Sequence, residues 1–121
     1  MKIKNIIWDW NGTIVDDAWL FVDIMNVFLK QHNLPQTSIE DYKNTFVFPV
    51  KNYWKSLGFK LTKEEFERTN SLFINLYTKK MFCALLHSKI GFVLNHLKNL
   101  GFVQFVLSAS EKSLLKQSVS F

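Results

Sequence analysis

Asp9-Trp10-Asn11-Gly12-Thr13 follows directly on the apolar run Ile6-Ile7-Trp8. The run is β-branched and aromatic and reads as a buried, central parallel strand, with Asp9 at its carboxyl end, where open α/β sheets bind their ligands. Gly12 can turn the chain sharply and aim peptide N–H groups at an anion beside Asp9, and Thr13 adds a hydroxyl to the same turn. A second apolar run, Phe102 to Leu107, ends in Ser108-Ala109-Ser110. A serine at a strand tip can donate to an anion's oxygen or cap the helix expected to begin near Glu111. On these residues alone the cap is the stronger reading for both Ser108 and Ser110.

The pentapeptide resembles the first motif of the haloacid dehalogenase superfamily, Asp-x-Asp-Gly-Thr. Val106-Leu107-Ser108-Ala109-Ser110 resembles its second, a strand ending in Ser or Thr. With Phe48-Pro49-Val50-Lys51, these segments look like the amino-terminal part of bacterial phosphoglycolate-phosphatase-like members. The resemblance implies that Asp9 attacks phosphorus and becomes an aspartyl phosphate. It further implies that Ser108 holds a phosphoryl oxygen, that Gly12, Thr13 and Ala109 line the phosphate site, and that Asp9 and the backbone carbonyl of Asn11 ligate Mg²⁺. Lys51 is the candidate cap residue facing the substrate, a small phosphorylated metabolite. The superfamily's lysine motif and its later acidic pair have no assignable counterpart within the 121 residues. The chain is therefore expected to be incomplete as an enzyme. An alternative is a catalytically silent relative that binds a phosphate ligand or a protein.

Asn11 departs from the motif, since most of the phosphatases carry there an aspartate that works as general acid and base. An amide cannot move that proton, a service commonly worth about two to four orders of magnitude in rate. Asn11→Asp is accordingly expected to restore a proton donor.

These loops need a scaffold, and the pattern between them is helical. Asp16 or Asp17 can cap a first helix over Leu20, Ile24, Val27 and Phe28, with Trp19, Val22, Met25 and Leu29 widening its apolar face. Ser38 and Asp41 fit the start of a short helix. Pro49 fits another that Gly58 closes. Thr62-Lys63-Glu64-Glu65 reads as a capping box opening the longest helix, which runs to about Ala84. A helix over Ile90, Val93, Leu94 and Leu97, ended by Gly101, leads into the Ser108 strand. The expected fold is α/β: an incomplete Rossmann-like core from residues 1–15 and 86–121, with an inserted all-helical cap domain over 16–85. Two strands are few for a free-standing parallel sheet, so this core is expected to be loose or to self-associate through an exposed sheet edge.

Composition narrows the remaining classes. With 48% hydrophobic residues the chain is of globular rather than disordered composition. The net charge is +5, yet Lys79-Lys80 is the only adjacent basic pair, which argues against nucleic-acid binding. Cys83, the single cysteine, cannot form an internal disulfide and reads as core filler in a reducing compartment. His32, His87 and His96 show no metal-ligand spacing. No apolar run reaches the roughly 20 residues of a membrane span, so no membrane partner and a cytoplasmic location are expected.

Overall fold

The structure, a computed structural model, describes residues 2–119. Its elements run β1 (Asn5–Trp8), α1 (Ala18–Gln31), α2 (Ile39–Thr45), α3 (Val50–Ser56), α4 (Lys63–Lys80), a 3-10 turn (Met81–Cys83), α5 (Ile90–Asn99), β2 (Val103–Val106) and α6 (Lys112–Val119). They form two compact units, Ala18–Lys80 and Met1–Asp17 with Met81–Phe121.

The helical unit is built on aromatic side chains. On α1 the buried residues are Leu20, Val22, Ile24, Met25, Phe28 and Leu29. Trp54 is 1% exposed and Tyr53 fully buried. The Trp54 ring lies 4.9 Å from Phe59 and 5.5 Å from Phe66, and Phe21 lies 4.9 Å from Phe73. The starts of α2, α3 and α4 follow their local chemistry. Ser38 caps α2, accepting from the Asp41 N–H at 3.0 Å. Pro49 occupies the cap position of α3, where its missing N–H costs nothing. Thr62 and Glu65 make the reciprocal capping box: the Thr62 N–H donates to Glu65 Oε2 at 2.7 Å and the Glu65 N–H to Thr62 Oγ1 at 3.2 Å. Gly58, at φ +101°, packs so closely that a Cβ would stand 3.0 Å from Leu34 Cδ2. Val27, expected inside, is exposed. Phe73 and Tyr77 carry the buried face of α4, which ends at Lys80.

In the α/β unit, β1 and β2 pair in parallel, with Asn5 opposite Val103 and Trp8 opposite Val106. The pairing reaches the strand ends, because the Leu107 N–H donates to the Trp8 carbonyl at 2.8 Å. A small core of Trp10, Ile14 and Val15 packs with Trp8, Ala84, Ile90 and Leu115. The expectation of a buried β1 is corrected: Ile7 is 66% exposed, as is Phe105 of β2 at 52%, because each strand has only the other as neighbour among the described residues. No residue of α5 is fully buried either. Cys83 is corrected as well. The 3-10 turn buries Met81 and leaves Cys83 exposed.

Candidate functional site

Asp9 and Ser108 leave the carboxyl ends of paired strands, so the parallel register sets their loops side by side. The first loop is a tight knot. The Trp10 carbonyl accepts the N–H groups of Thr13, Ile14 and Val15 at 3.2, 3.0 and 3.1 Å. Gly12 turns the knot at φ +72°, in the left-handed region that favours glycine. Thr13 Oγ1 donates to Asp9 Oδ2 at 3.0 Å, fixing one carboxylate oxygen of the exposed Asp9.

Asn11 joins the loops. Its Oδ1 accepts from Ser110 Oγ at 2.9 Å and from Ser108 Oγ at 3.3 Å, while its Nδ2 donates to Asp17 Oδ2 at 2.7 Å. The other Asp17 oxygen, Oδ1, accepts the Gly12 N–H at 2.6 Å. Two expectations change here. The Gly12 and Thr13 N–H groups are taken by Asp17 and Trp10, so they do not point at an anion in this conformation. Ser110 does not cap α6, which begins at Lys112; its hydroxyl bonds Asn11, and its N–H donates to Ser108 Oγ at 3.1 Å. Ala109 is the exposed residue between these two serines. Lys51 lies within the helical unit, its Nζ 5.8 Å from the centre of the Phe66 ring.

Sequence reasoning missed two residues at this loop. Asp17, one of the two candidate caps of α1, is 4% exposed, and its carboxylate also receives the loop's Gly12 N–H and Asn11 amide. His87 places Nε2 3.2 Å from the Gly12 carbonyl and 3.9 Å from Asp16 Oδ1. Neither carries a motif. The one available signal was the acidic pair Asp16-Asp17 so soon after Gly12.

Residues 6–120 match the sequence profile of the haloacid dehalogenase-like hydrolases. The chain belongs to this family. No curated protein matches it. Among solved structures, it resembles a predicted phosphoglycolate phosphatase from Haemophilus somnus 129PT with a TM-score of 0.76 at 22% identity, over 100% of this chain and 58% of that one. A candidate phosphoglycolate phosphatase from Lactobacillus plantarum gives 0.79 at 14% identity, over 99% and 56%. A family IA, variant 3 haloacid dehalogenase hydrolase from Entamoeba histolytica gives 0.74 at 15% identity, over 98% and 54%. The chain thus spans somewhat over half the length of these structures, and the likeness is one of fold.

Haloacid dehalogenase-like enzymes generally use Mg²⁺, which prefers near-octahedral oxygen coordination. At this loop the matching oxygens are the Asp9 carboxylate and the Asn11 backbone carbonyl. Among the described residues no group of three or more His, Cys, Asp or Glu side chains gathers to hold a metal ion. These two donors do not by themselves fit the ion. No described helix is long and apolar enough to cross a membrane.

Proposed function

We propose that this chain supplies the nucleophile loop of a phosphomonoester hydrolase acting on a small phosphorylated metabolite, of which phosphoglycolate is the candidate suggested by the structural relatives. The observation that carries this reading is that Asp9 and Ser108 both lie just past the carboxyl ends of adjacent parallel strands, in a chain of this family. In the proposed reaction an Asp9 oxygen forms the new bond to phosphorus. The bond to the leaving oxygen breaks with its electron pair. Water then attacks the aspartyl phosphate, releasing inorganic phosphate and restoring the carboxylate.

The hydrogen bond from Thr13 holds Oδ2 and so orients the carboxylate, leaving Oδ1 as the attacking atom. In this reading Ser108 Oγ donates to a phosphoryl oxygen on leaving Asn11 Oδ1, a 3.3 Å contact that costs little to break. The Asn11 amide is too weak an acid to protonate the leaving oxygen, so substrates with good leaving groups are favoured. Any Mg²⁺ at Asp9 and Asn11 needs oxygens from beyond the described residues. The helical unit, in this reading, is a cap that selects the substrate.

A second reading is a binding module without turnover. It is favoured by the commitment of the Gly12 and Thr13 N–H groups to protein acceptors. Phosphate release from nitrophenyl phosphate and a panel of sugar and carboxylate phosphates, measured on the full-length gene product with Mg²⁺, decides between them. Release that disappears in Asp9→Asn supports the hydrolase. Release unchanged by that substitution overturns the assignment of Asp9, and no release from any substrate favours the binding module.

A further inference from the structure

We propose that Asp17 is the positioning residue of the phosphate loop and that it dictates an amide, rather than a carboxylate, at position 11. The inference rests on reading this loop as a phosphate site.

Asp17 is buried at 4% exposure, and its carboxylate accepts from two donors on the loop, Asn11 Nδ2 at 2.7 Å and the Gly12 N–H at 2.6 Å. Both are short, as charge-assisted bonds are. The Asn11 side chain is therefore not free to rotate. With Nδ2 held on Asp17, Oδ1 must face the other way, and there it receives the hydroxyls of Ser110 and Ser108. One carboxylate thus fixes the Gly12 peptide directly and orients the second loop through the Asn11 amide.

Hydrogen-bond complementarity makes the two residues interdependent. Asp17 presents acceptors, so its partner must donate. The serine hydroxyls, in contrast, can donate or accept. Asparagine at 11 satisfies both sides at once. Aspartate at 11 would set acceptor against acceptor across the 2.7 Å contact, in a place where an unmet polar group is costly. The absence of the usual proton donor at this position is, on this argument, a local consequence of Asp17. Asn11→Asp alone does not rebuild an acid; it breaks the loop. Asp17→Asn alone is tolerated, because the Asn11 amide can turn over, accept from Asn at 17 and donate to the serines. Combining Asn11→Asp with Asp17→Asn restores complementarity with the donor and acceptor exchanged.

The test is water-exchange NMR of the Gly12 amide in the isotope-labelled 121-residue chain, a method that reads fast-exchanging amides. Asn11→Asp should speed Gly12 exchange roughly tenfold, the worth of about one hydrogen bond of this kind, while Asp17→Asn and the double variant stay within about threefold of the unsubstituted chain. Should Asn11→Asp unfold the α/β unit, the double variant must refold it. A double variant that behaves like Asn11→Asp overturns the proposal, as does an Asn11→Asp chain that exchanges like the parent. Inorganic phosphate titrated with Mg²⁺ onto the same samples gives an independent reading. Shifts at Gly12 and Ala109 that vanish in Asn11→Asp and return in the double variant support the positioning role. Rescue of exchange with no phosphate shift in any sample supports the pairing of 11 with 17 and counts against the hydrolase reading alone.

Discussion

Thr13 Oγ1 donates to Asp9 Oδ2 across 3.0 Å, so the hydroxyl that ends the motif holds the carboxylate that begins it. The bond is local, spanning one turn of the Trp10-centred knot. The same carboxylate is solvent-exposed, which leaves it accessible to an incoming phosphate.

Removing that hydroxyl should leave Asp9, the proposed nucleophile, present but poorly aimed. Thr13→Val keeps the branched shape and deletes the donor. In the full-length gene product it should lower kcat roughly tenfold, the order expected for one lost orienting hydrogen bond. Asp9→Asn should abolish turnover. Steady-state kinetics on nitrophenyl phosphate checks both. A Thr13→Val enzyme with an unchanged kcat would show that this bond does not orient the attack.

The capping box of α4 gives a prediction with a pH sign. The Thr62 N–H, and secondarily the Thr62 hydroxyl, holds the Glu65 carboxyl below the ordinary glutamate range. A group whose folded value is depressed stabilises the fold above its unfolded value, and that contribution fades as the pH falls through the lowered folded value. Glu65→Gln should therefore weaken the helical unit at neutral pH and have little effect in strong acid. Thr62→Ala, which removes the cap acceptor, should cost about 1 kcal/mol at neutral pH. Urea unfolding followed by far-ultraviolet circular dichroism at neutral and acid pH reads both changes.

The core of that unit makes a sharper demand. Trp54 is 1% exposed among Phe28, Phe59, Phe66 and Phe73. Trp54→Ala leaves a cavity that the neighbouring rings cannot close, at a cost of about 3 to 5 kcal/mol. The same urea titration should show the helical unit melting at much lower denaturant. A midpoint close to that of the parent would mean that the aromatic cluster repacks.

What could be read from the sequence follows the range of the forces involved. The capping box at Thr62 and Glu65, the Ser38 cap and the closing glycines Gly58 and Gly101 are local, each decided within a few residues, and the structure shows them in place. The tips of β1 and β2 could be matched because motif residues mark both. Burial was harder to read. Ile7, Val27 and Leu72 have core-type side chains, but whether such a residue is covered depends on which elements lie opposite it, and periodicity carries no such information. Asp17 escaped for a related reason. A helix-start carboxylate reads as a cap for its own helix, and nothing in its local pattern says that it also receives Gly12 and Asn11.

Metal affinity tests the donor count at the loop. Asp9 and the Asn11 carbonyl are the proposed ligand oxygens, and no group of three or more His, Cys, Asp or Glu side chains gathers among the described residues. Mg²⁺ dehydrates reluctantly and wants near-octahedral oxygen coordination. The 121-residue chain should therefore bind it only weakly, in the millimolar range or above. Calorimetric titration giving micromolar affinity would mean that ligands other than these two complete the site.

The two units should also differ in how firmly they hold their backbones. Trp54, Tyr53, Leu20, Met25 and Leu29 are side chains closed off from water, and the first two anchor α3 while the others anchor α1. The sheet has no such cover. Ile7, Val103, Phe105 and Leu107 are each more than half exposed, and among the described residues the strands are joined only to each other. Local opening free energies rise with buried apolar contact and with shielded hydrogen bonds. Amides of Ile6 to Trp8 and Phe105 to Leu107 should therefore exchange with solvent at least tenfold faster than those of Met25 to Leu29 in a chain shown to be monomeric. Association through the exposed sheet edge, the other outcome open to an uncovered pair of strands, would appear as slower strand exchange at higher protein concentration. Strand amides as well protected as those of α1, in a monomer at every concentration, would show that two parallel strands with so much exposed apolar surface can stand alone.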